Sequence, residues 1–215
     1  MPVKTDKREY RKIDTAKIET RAAEDGAMVV EGYATTFNEP YELWRDNEMI
    51  VQEQVDRNAF AETDMSDVIM QYDHEGRVFA RIANGTLALE PDDHGLKIRA
   101  NLGGTEIGRQ LFEEIQGGYT NKMSFGFTVA ADKRETTRDG DGKITVLRTI
   151  TKIGKLYDVS AVSLPANDAT EISARAIGDG LIAEVLEEVK AEEERRRRIG
   201  EIRKILNQEE KNDDE

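Results

Sequence analysis

The sequence contains no cysteine, which excludes disulfide bonds, zinc sites built on thiolates and cysteine nucleophiles. It has two histidines among 215 residues, His74 and His94, so a mechanism that needs an imidazole base has only two candidates. No run approaches the roughly 18 consecutive apolar residues of a membrane span, and the charged start has no apolar stretch behind it. The sequence therefore predicts a protein that is made and kept in the cytoplasm, or in something assembled there.

Positive charge is also scarce. The sequence has 31 basic and 44 acidic residues, which gives a formal net charge of -13. This balance argues against a nucleic-acid binder that relies on phosphate contacts, and against an anionic membrane surface as partner. A basic or neutral protein partner fits better.

Composition along the chain predicts three parts. Residues 1–22 are charged and weakly periodic, which indicates an arm or an edge strand. Residues 23–177 hold short alternating segments separated by turn residues, and are predicted to form the main domain. Residues 178–215 are rich in helix formers around the charge run EEERRRR. This helical tail is either a solvated helix supported by Glu–Arg pairs or a segment that docks on a partner.

The main domain is predicted to be α+β. Its short strands are not regularly interleaved with helices, which favours a mostly antiparallel β-barrel or closed sheet with surrounding helices. The clearest internal helix lies at 105–118, where Thr105 can cap the start and Gly117 can end it. The turn at 139–142, sequence DGDG, predicts a hairpin between two long strands.

The stretch NKMSFGFTV at 121–129 has the alternation of a strand with one buried face. Ser124 lies on the other face, and the next residue on that face, Gly126, has no side chain. The hydroxyl of Ser124 is therefore expected to be unusually accessible to a molecule docking against the strand. Taken alone, Ser124 is an ordinary serine on a solvated strand.

Two further polar residues interrupt apolar strand patterns. His74 shares a phase with Val68, Met70 and Tyr72, and Asp158 lies within LYDVSAVSL. A serine hydroxyl becomes a good nucleophile when an imidazole accepts its proton, and the imidazole needs a partner on its other nitrogen. The three residue types suit that chemistry, although sequence spacing alone does not bring them together.

Other candidate catalytic or cation-binding residues are less well supported by the sequence pattern. The strand serines Ser160 and Ser163 have no following glycine to clear their face. Acidic pairs lack the spacing of a known cation loop and are better explained as solvated turns; they are Asp73 with Glu75, and Asp92 with Asp93.

Six segments in order resemble the prohead proteases of tailed bacteriophages, of the HK97 type. They are GYATTFN, RNAF, YDHEG, LALEPDDHGLKIRANL, MSFGF and LYDVSAVSLPAN, within about residues 28–175. The resemblance implies a fold similar to the herpesvirus maturation proteases, a β-barrel surrounded by helices. Carried over, His74 matches the histidine of YDHEG, Ser124 the serine of MSFGF, and Asp158 the acidic position before Val-Ser.

The resemblance implies a serine endopeptidase that acts in the host cytoplasm, inside the assembling prohead. It would cleave the scaffolding part of the major capsid protein and also itself, by Ser-His-Asp acyl transfer. The implied partners are the capsid protein and, as an open alternative, further copies of the chain. No metal, organic cofactor, nucleic acid or membrane is implied.

Two other functions remain open at this point. The chain could be a non-catalytic assembly or scaffolding factor, a β-barrel with a helical tail that templates the shell and cuts nothing. A hydrolase of small esters is the third and weaker interpretation.

Overall fold

The computed structural model describes residues 8–22, 27–162 and 180–213, and for residues 12–17, 22 and 205–213 it describes the backbone alone. The chain divides into two compact units, Met1–Arg175 and Ala176–Glu215, and each is described by itself.

The described residues of the first unit form ten strands, one α-helix (α1) and a short 3-10 turn. The strands are β1 Glu9–Ala22, β2 Met28–Thr36, β3 Tyr41–Arg45, β4 Met49–Val55, β5 Ile69–Tyr72, β6 Glu75–Arg81, β7 Leu87–Pro91, β8 Gly95–Asn101, β9 Lys122–Arg138 and β10 Ile144–Val162; the helix is α1 Glu106–Gln116, and the 3-10 turn is Ile82–Asn84.

The strands form one sheet in the order β3-β4-β10-β9-β1-β2-β8-β7, and β5 pairs with both β10 and β6. Most pairs are antiparallel, whereas β4 and β5 run parallel to β10. The predicted α+β class with mostly strands is confirmed. The predicted barrel is not found: within the described residues the order ends at β3 and β7, which do not pair, so the sheet is not closed.

Local sequence explains the elements that were predicted. Thr105 caps α1, because its hydroxyl oxygen accepts a hydrogen bond from the backbone N–H of Gly108 at 3.1 Å. Gly117 follows the last helical residue, as expected. The DGDG turn joins β9 to β10, which pair antiparallel over almost their whole length. The helix and the hairpin are both confirmed.

The core lies against one face of β9. Met123, Phe125 and Phe127 are fully buried there, and the two phenylalanine rings stack with centroids 4.4 Å apart. Burying each such side chain contributes about 1.5–3 kcal/mol. This apolar face fixes the strand's orientation, so that Ser124 and Gly126 lie on the opposite face.

Strand β1 lies inside the sheet, between β9 and β2, and not at an edge as the sequence suggested. Its charged residues Glu9 and Arg11 are buried because each finds opposite charges. Arg11 donates to Glu53 at 2.6 Å and also to Glu9. Arg148 of β10 donates to Glu53 at 2.6 Å and to Glu9 at 3.0 Å. We call these four residues the buried charge network.

Glu53 is the centre of this network. Burial alone would raise the pKa of its carboxyl, but the charges of Arg11 and Arg148 outweigh that effect and lower the pKa from 4.5 to about 2. A carboxyl with a lowered folded-state pKa stabilises the fold above its unfolded pKa and loses that contribution as the pH falls. At about 1.4 kcal/mol per pH unit between the two values, the contribution is on the order of 3 kcal/mol.

Replacing Glu53 with glutamine is expected to lower the free energy of unfolding at pH 7 by about 3–5 kcal/mol, because two buried guanidinium groups lose a charged partner. The wild-type protein should lose stability between about pH 4.5 and pH 2, and the variant should lose less over that window. Urea unfolding at a series of pH values measures both effects. Glu62→Gln, in an exposed pair with Lys152, is the control and should change little. Equal stability of Glu53→Gln and wild type at pH 7 would contradict this account.

In the described part of the second unit, residues Leu181–Asp213 form the helix α2, which confirms a helical tail over those residues. Arg196 and Glu192 pair at 3.0 Å, one helical turn apart. None of the helices in the described part of the chain is long and apolar enough to cross a membrane.

Candidate active site

Strands β9 and β10 bring four polar or small positions side by side. In their antiparallel register Ser124 lies opposite Ser160, and Gly126 lies opposite Asp158. Directly opposed residues project to the same face of a sheet. The face of β9 that points away from the core therefore carries a serine next to a carboxylate from the neighbouring strand.

His74 reaches this face from a tight turn. Strand β5 ends at Tyr72, which pairs with Glu75, so Asp73 and His74 form a two-residue hairpin. Both have positive φ, 50° and 63°, as the central residues of a type I′ turn require. The sequence had placed His74 on the strand, in the same phase as Tyr72. That interpretation was wrong, because the strand ends at Tyr72, two residues before His74.

The structure brings the three predicted residues together. The Nε2 atom of His74 lies 2.5 Å from Ser124 Oγ, and its Nδ1 atom lies 2.5 Å from Asp158 Oδ1. We call Ser124, His74 and Asp158 the candidate triad. One nitrogen of the imidazole thus contacts the serine and the other contacts the carboxylate, which is the connectivity that nucleophile activation by a base requires.

The second histidine lies elsewhere. His94 is exposed in the turn between β7 and β8, as predicted. Its ring contacts Tyr33 with centroids 4.6 Å apart. Among the described residues, no group of three or more His, Asp or Glu side chains is placed to hold a metal ion.

Ser160 is a member of the site that sequence reasoning set aside as an ordinary strand serine. It is fully buried, it donates a hydrogen bond to Asp158 Oδ1 at 3.0 Å, and its Oγ lies 3.2 Å from His74 Nδ1. The sequence feature that could have identified Ser160 is its position two residues after Asp158, which places both side chains on one face of a strand. Ser160 therefore helps to fix the carboxylate against the imidazole.

Gly126 has a different role from the one expected. The sequence suggested that its missing side chain exposes Ser124, but Ser124 has no exposed surface. The space above Gly126 is filled: a Cβ there would lie 2.8 Å from Tyr10 Cε1 and closer still to Asp158 Oδ2. The glycine lets the carboxylate and the tyrosine ring approach the strand.

Replacing Gly126 with alanine is expected to displace Asp158 from His74, because the added methyl group occupies the position of the carboxylate. Misplacing a catalytic group by about 1 Å can cost about 10²-fold in rate, so cleavage of the substrate should fall by at least that factor. Comparison of kcat/KM with the wild type measures this. Gly140→Ala, at a glycine with no atom within 4 Å of its added Cβ, should leave the rate unchanged. A fully active Gly126→Ala variant would show that Asp158 needs no such space.

In comparison with protein families, a family model described as caudovirus prohead serine protease matches residues 16–181. Comparison with curated proteins and with solved structures gives no match. The matched range includes all three residues of the candidate triad and far more than half of the chain. The chain therefore belongs to the caudovirus prohead serine protease family.

Proposed function

We propose that this protein is the endopeptidase of phage capsid maturation and that Ser124, His74 and Asp158 carry out the cleavage. The observation that supports this assignment most directly is the position of the His74 imidazole. Its Nε2 atom lies 2.5 Å from Ser124 Oγ, and its Nδ1 atom lies 2.5 Å from Asp158 Oδ1. The buried Ser124 and Asp158 and the largely buried side chain of His74 come from three distant stretches of sequence and meet there, in a member of a serine protease family.

The chemistry proceeds by acyl transfer. Ser124 Oγ forms a bond to the carbonyl carbon of the scissile peptide, and its proton passes to His74 Nε2. His74 then gives this proton to the leaving amine as the C–N bond breaks. Water attacks the resulting ester by the same route, which releases the second product and restores the hydroxyl. Asp158 keeps the Nδ1–H tautomer and stabilises the imidazolium.

The proposed substrate is the scaffolding part of the major capsid protein, cleaved inside the assembling prohead, with the protease itself as a second substrate. The net charge of -13 favours a partner that is neutral or basic where it contacts the protease. The carboxylate of Asp158 acts only through the imidazole, so specificity has to come from residues that contact the bound peptide.

Co-expression with the major capsid protein tests this proposal. We expect shells that contain a shortened capsid protein, detected on a gel and by mass spectrometry, whereas expression of the capsid protein alone should yield the full-length form. Shells that assemble with full-length capsid protein in the presence of the folded protease would favour a non-catalytic assembly factor instead. Cleavage of small esters but not of capsid protein would point to an esterase.

A further inference from the structure

The candidate triad is closed to solvent in the resting chain. Ser124 has no exposed surface and Asp158 is 1% exposed, while the side chain of His74 is 6% exposed. A cleft of about 540 Å³ lies beside the hairpin of His74, but neither His74 nor Ser124 lines it. An endopeptidase has to bring a substrate carbonyl to its serine hydroxyl. Some segment that covers Ser124 therefore has to move first.

The first part of β1 lies directly against the candidate triad. Residues Glu9–Ile13 pair antiparallel with β9. The backbone carbonyl of Arg11 accepts a hydrogen bond from Ser124 Oγ at 2.9 Å, and the ring of Tyr10 lies 4.5 Å from the imidazole of His74. One segment thus contacts both the nucleophile and the base.

The contact with Arg11 competes with activation of the nucleophile. A serine hydroxyl carries a single hydrogen. When Ser124 donates it to the Arg11 carbonyl, His74 Nε2 cannot accept it. The same contact places a backbone carbonyl oxygen 2.9 Å from Ser124 Oγ, close to where a substrate carbonyl has to lie for attack. Residues Glu9–Ile13 therefore contact the nucleophile as an extended peptide paired with β9 would.

An irregularity in β1 divides residues Glu9–Ile13 from the second part of the strand. Its register shifts between Ile13 and Lys17, and its second part, Ile18–Ala22, pairs with β2. The buried charges of Glu9 and Arg11 are opposite, so their joint departure leaves no net charge behind. Glu53 would keep its bonds to Arg148 and Tyr41, both 2.6 Å long.

We propose that residues Glu9–Ile13 occupy the substrate channel of the resting protease, and that an extended substrate peptide replaces them beside β9. Adding a strand to a sheet edge supplies backbone hydrogen bonds to any extended peptide, and the pockets along it set the preference for side chains. This inference rests on the proposed function, because it names the binding mode of the same site.

A disulfide lock tests whether Glu9–Ile13 must leave. Ile13 and Met123 are opposed residues of the antiparallel ladder, and opposed Cα atoms are within the range that a disulfide spans. The wild-type chain has no cysteine, so within one chain Ile13→Cys/Met123→Cys can form only this bond. In the full chain, the oxidised variant is expected to lose cleavage of purified capsid protein, and reduction with dithiothreitol is expected to restore it.

The matched control locks the other end of the same strand. Glu19 and Glu31 are opposed residues of β1 and β2, and Glu19→Cys/Glu31→Cys should cleave equally well oxidised and reduced. Equal cleavage by both forms of the Ile13→Cys/Met123→Cys variant overturns the inference and leaves the proposed function standing. Absence of cleavage by the wild type and by every reduced variant removes the proposed function, and the inference with it.

A second measurement does not depend on forming a disulfide. Tyr10→Ala removes the ring that contacts His74 and should loosen the cover, so Ser124 should react with a fluorophosphonate at least about tenfold faster than in the wild type. Arg21→Ala removes an exposed contact of β1 with Glu31 and should react at the wild-type rate. Equal rates for all three proteins, each with a cooperative unfolding transition, would also overturn the inference.

Discussion

Replacing Ser124 with alanine is expected to abolish processing of the capsid protein while shells still assemble. The substitution removes the atom that attacks the scissile carbonyl, and loss of a serine nucleophile lowers kcat by about 10⁶-fold in a well-studied peptidase. The fold should survive, because an alanine fits the space of a buried serine. A gel of purified shells from co-expression, with the purified protease assayed in parallel, measures both outcomes.

Ser160→Ala is the matched control for this experiment. Ser160 is also fully buried, and it lies directly opposite Ser124 in the sheet, so its removal perturbs packing to a similar extent. Its loss removes one hydrogen bond to Asp158, worth about 0.5–1.5 kcal/mol, and should slow cleavage by no more than about tenfold. If Ser124→Ala processes as fast as Ser160→Ala, then Ser124 is not the nucleophile.

Replacing Asp158 with asparagine is expected to lower kcat by about 10⁴-fold with little change in KM. Asparagine keeps the shape of the side chain but can offer its NH₂ group to His74 Nδ1, which stabilises the wrong imidazole tautomer and no longer balances the imidazolium. Steady-state cleavage of a peptide that spans the processing site of the capsid protein would separate kcat from KM.

Asp73→Asn distinguishes the two carboxylates that neighbour His74, one along the chain and one in space. Asparagine accepts the positive φ of 50° at this position, so the turn should persist and the rate should remain near the wild-type value. A large loss of kcat in Asp73→Asn together with an active Asp158→Asn would reverse the assignment of the third member.

Residue types and strand phase nominated Ser124 and Asp158, while His74 was one of only two histidines in the sequence; grouping the three also drew on the resemblance to prohead proteases. Ser124 was found because its neighbours Met123 and Phe125 are apolar and point the other way, and Asp158 because a carboxylate interrupts an apolar strand. These signals are local, so they survive without knowledge of the fold. The helix at 106–116 and the hairpin before β10 were predictable for the same reason.

The position of β1 could not be predicted, because its charges look exposed in sequence. They are buried through partners that lie far along the chain: Glu53 is 42 residues from Arg11, and Arg148 is 139 residues from Glu9. Alternation of apolar and polar residues indicates a strand, but it does not show which strands pair with it. For the same reason, the sequence did not predict that β4 and β5 pair in parallel with β10. It also did not predict that the sheet is open.

The complete burial of Ser124 has a consequence for covalent inhibitors. A warhead can reach the hydroxyl only during the intervals in which the site is open, so the most reactive reagents should all converge on one limiting inactivation rate. Below that ceiling, potency should follow intrinsic electrophilicity. A graded warhead series should therefore reach a plateau in inactivation rate, and the height of that plateau would measure how often the site opens.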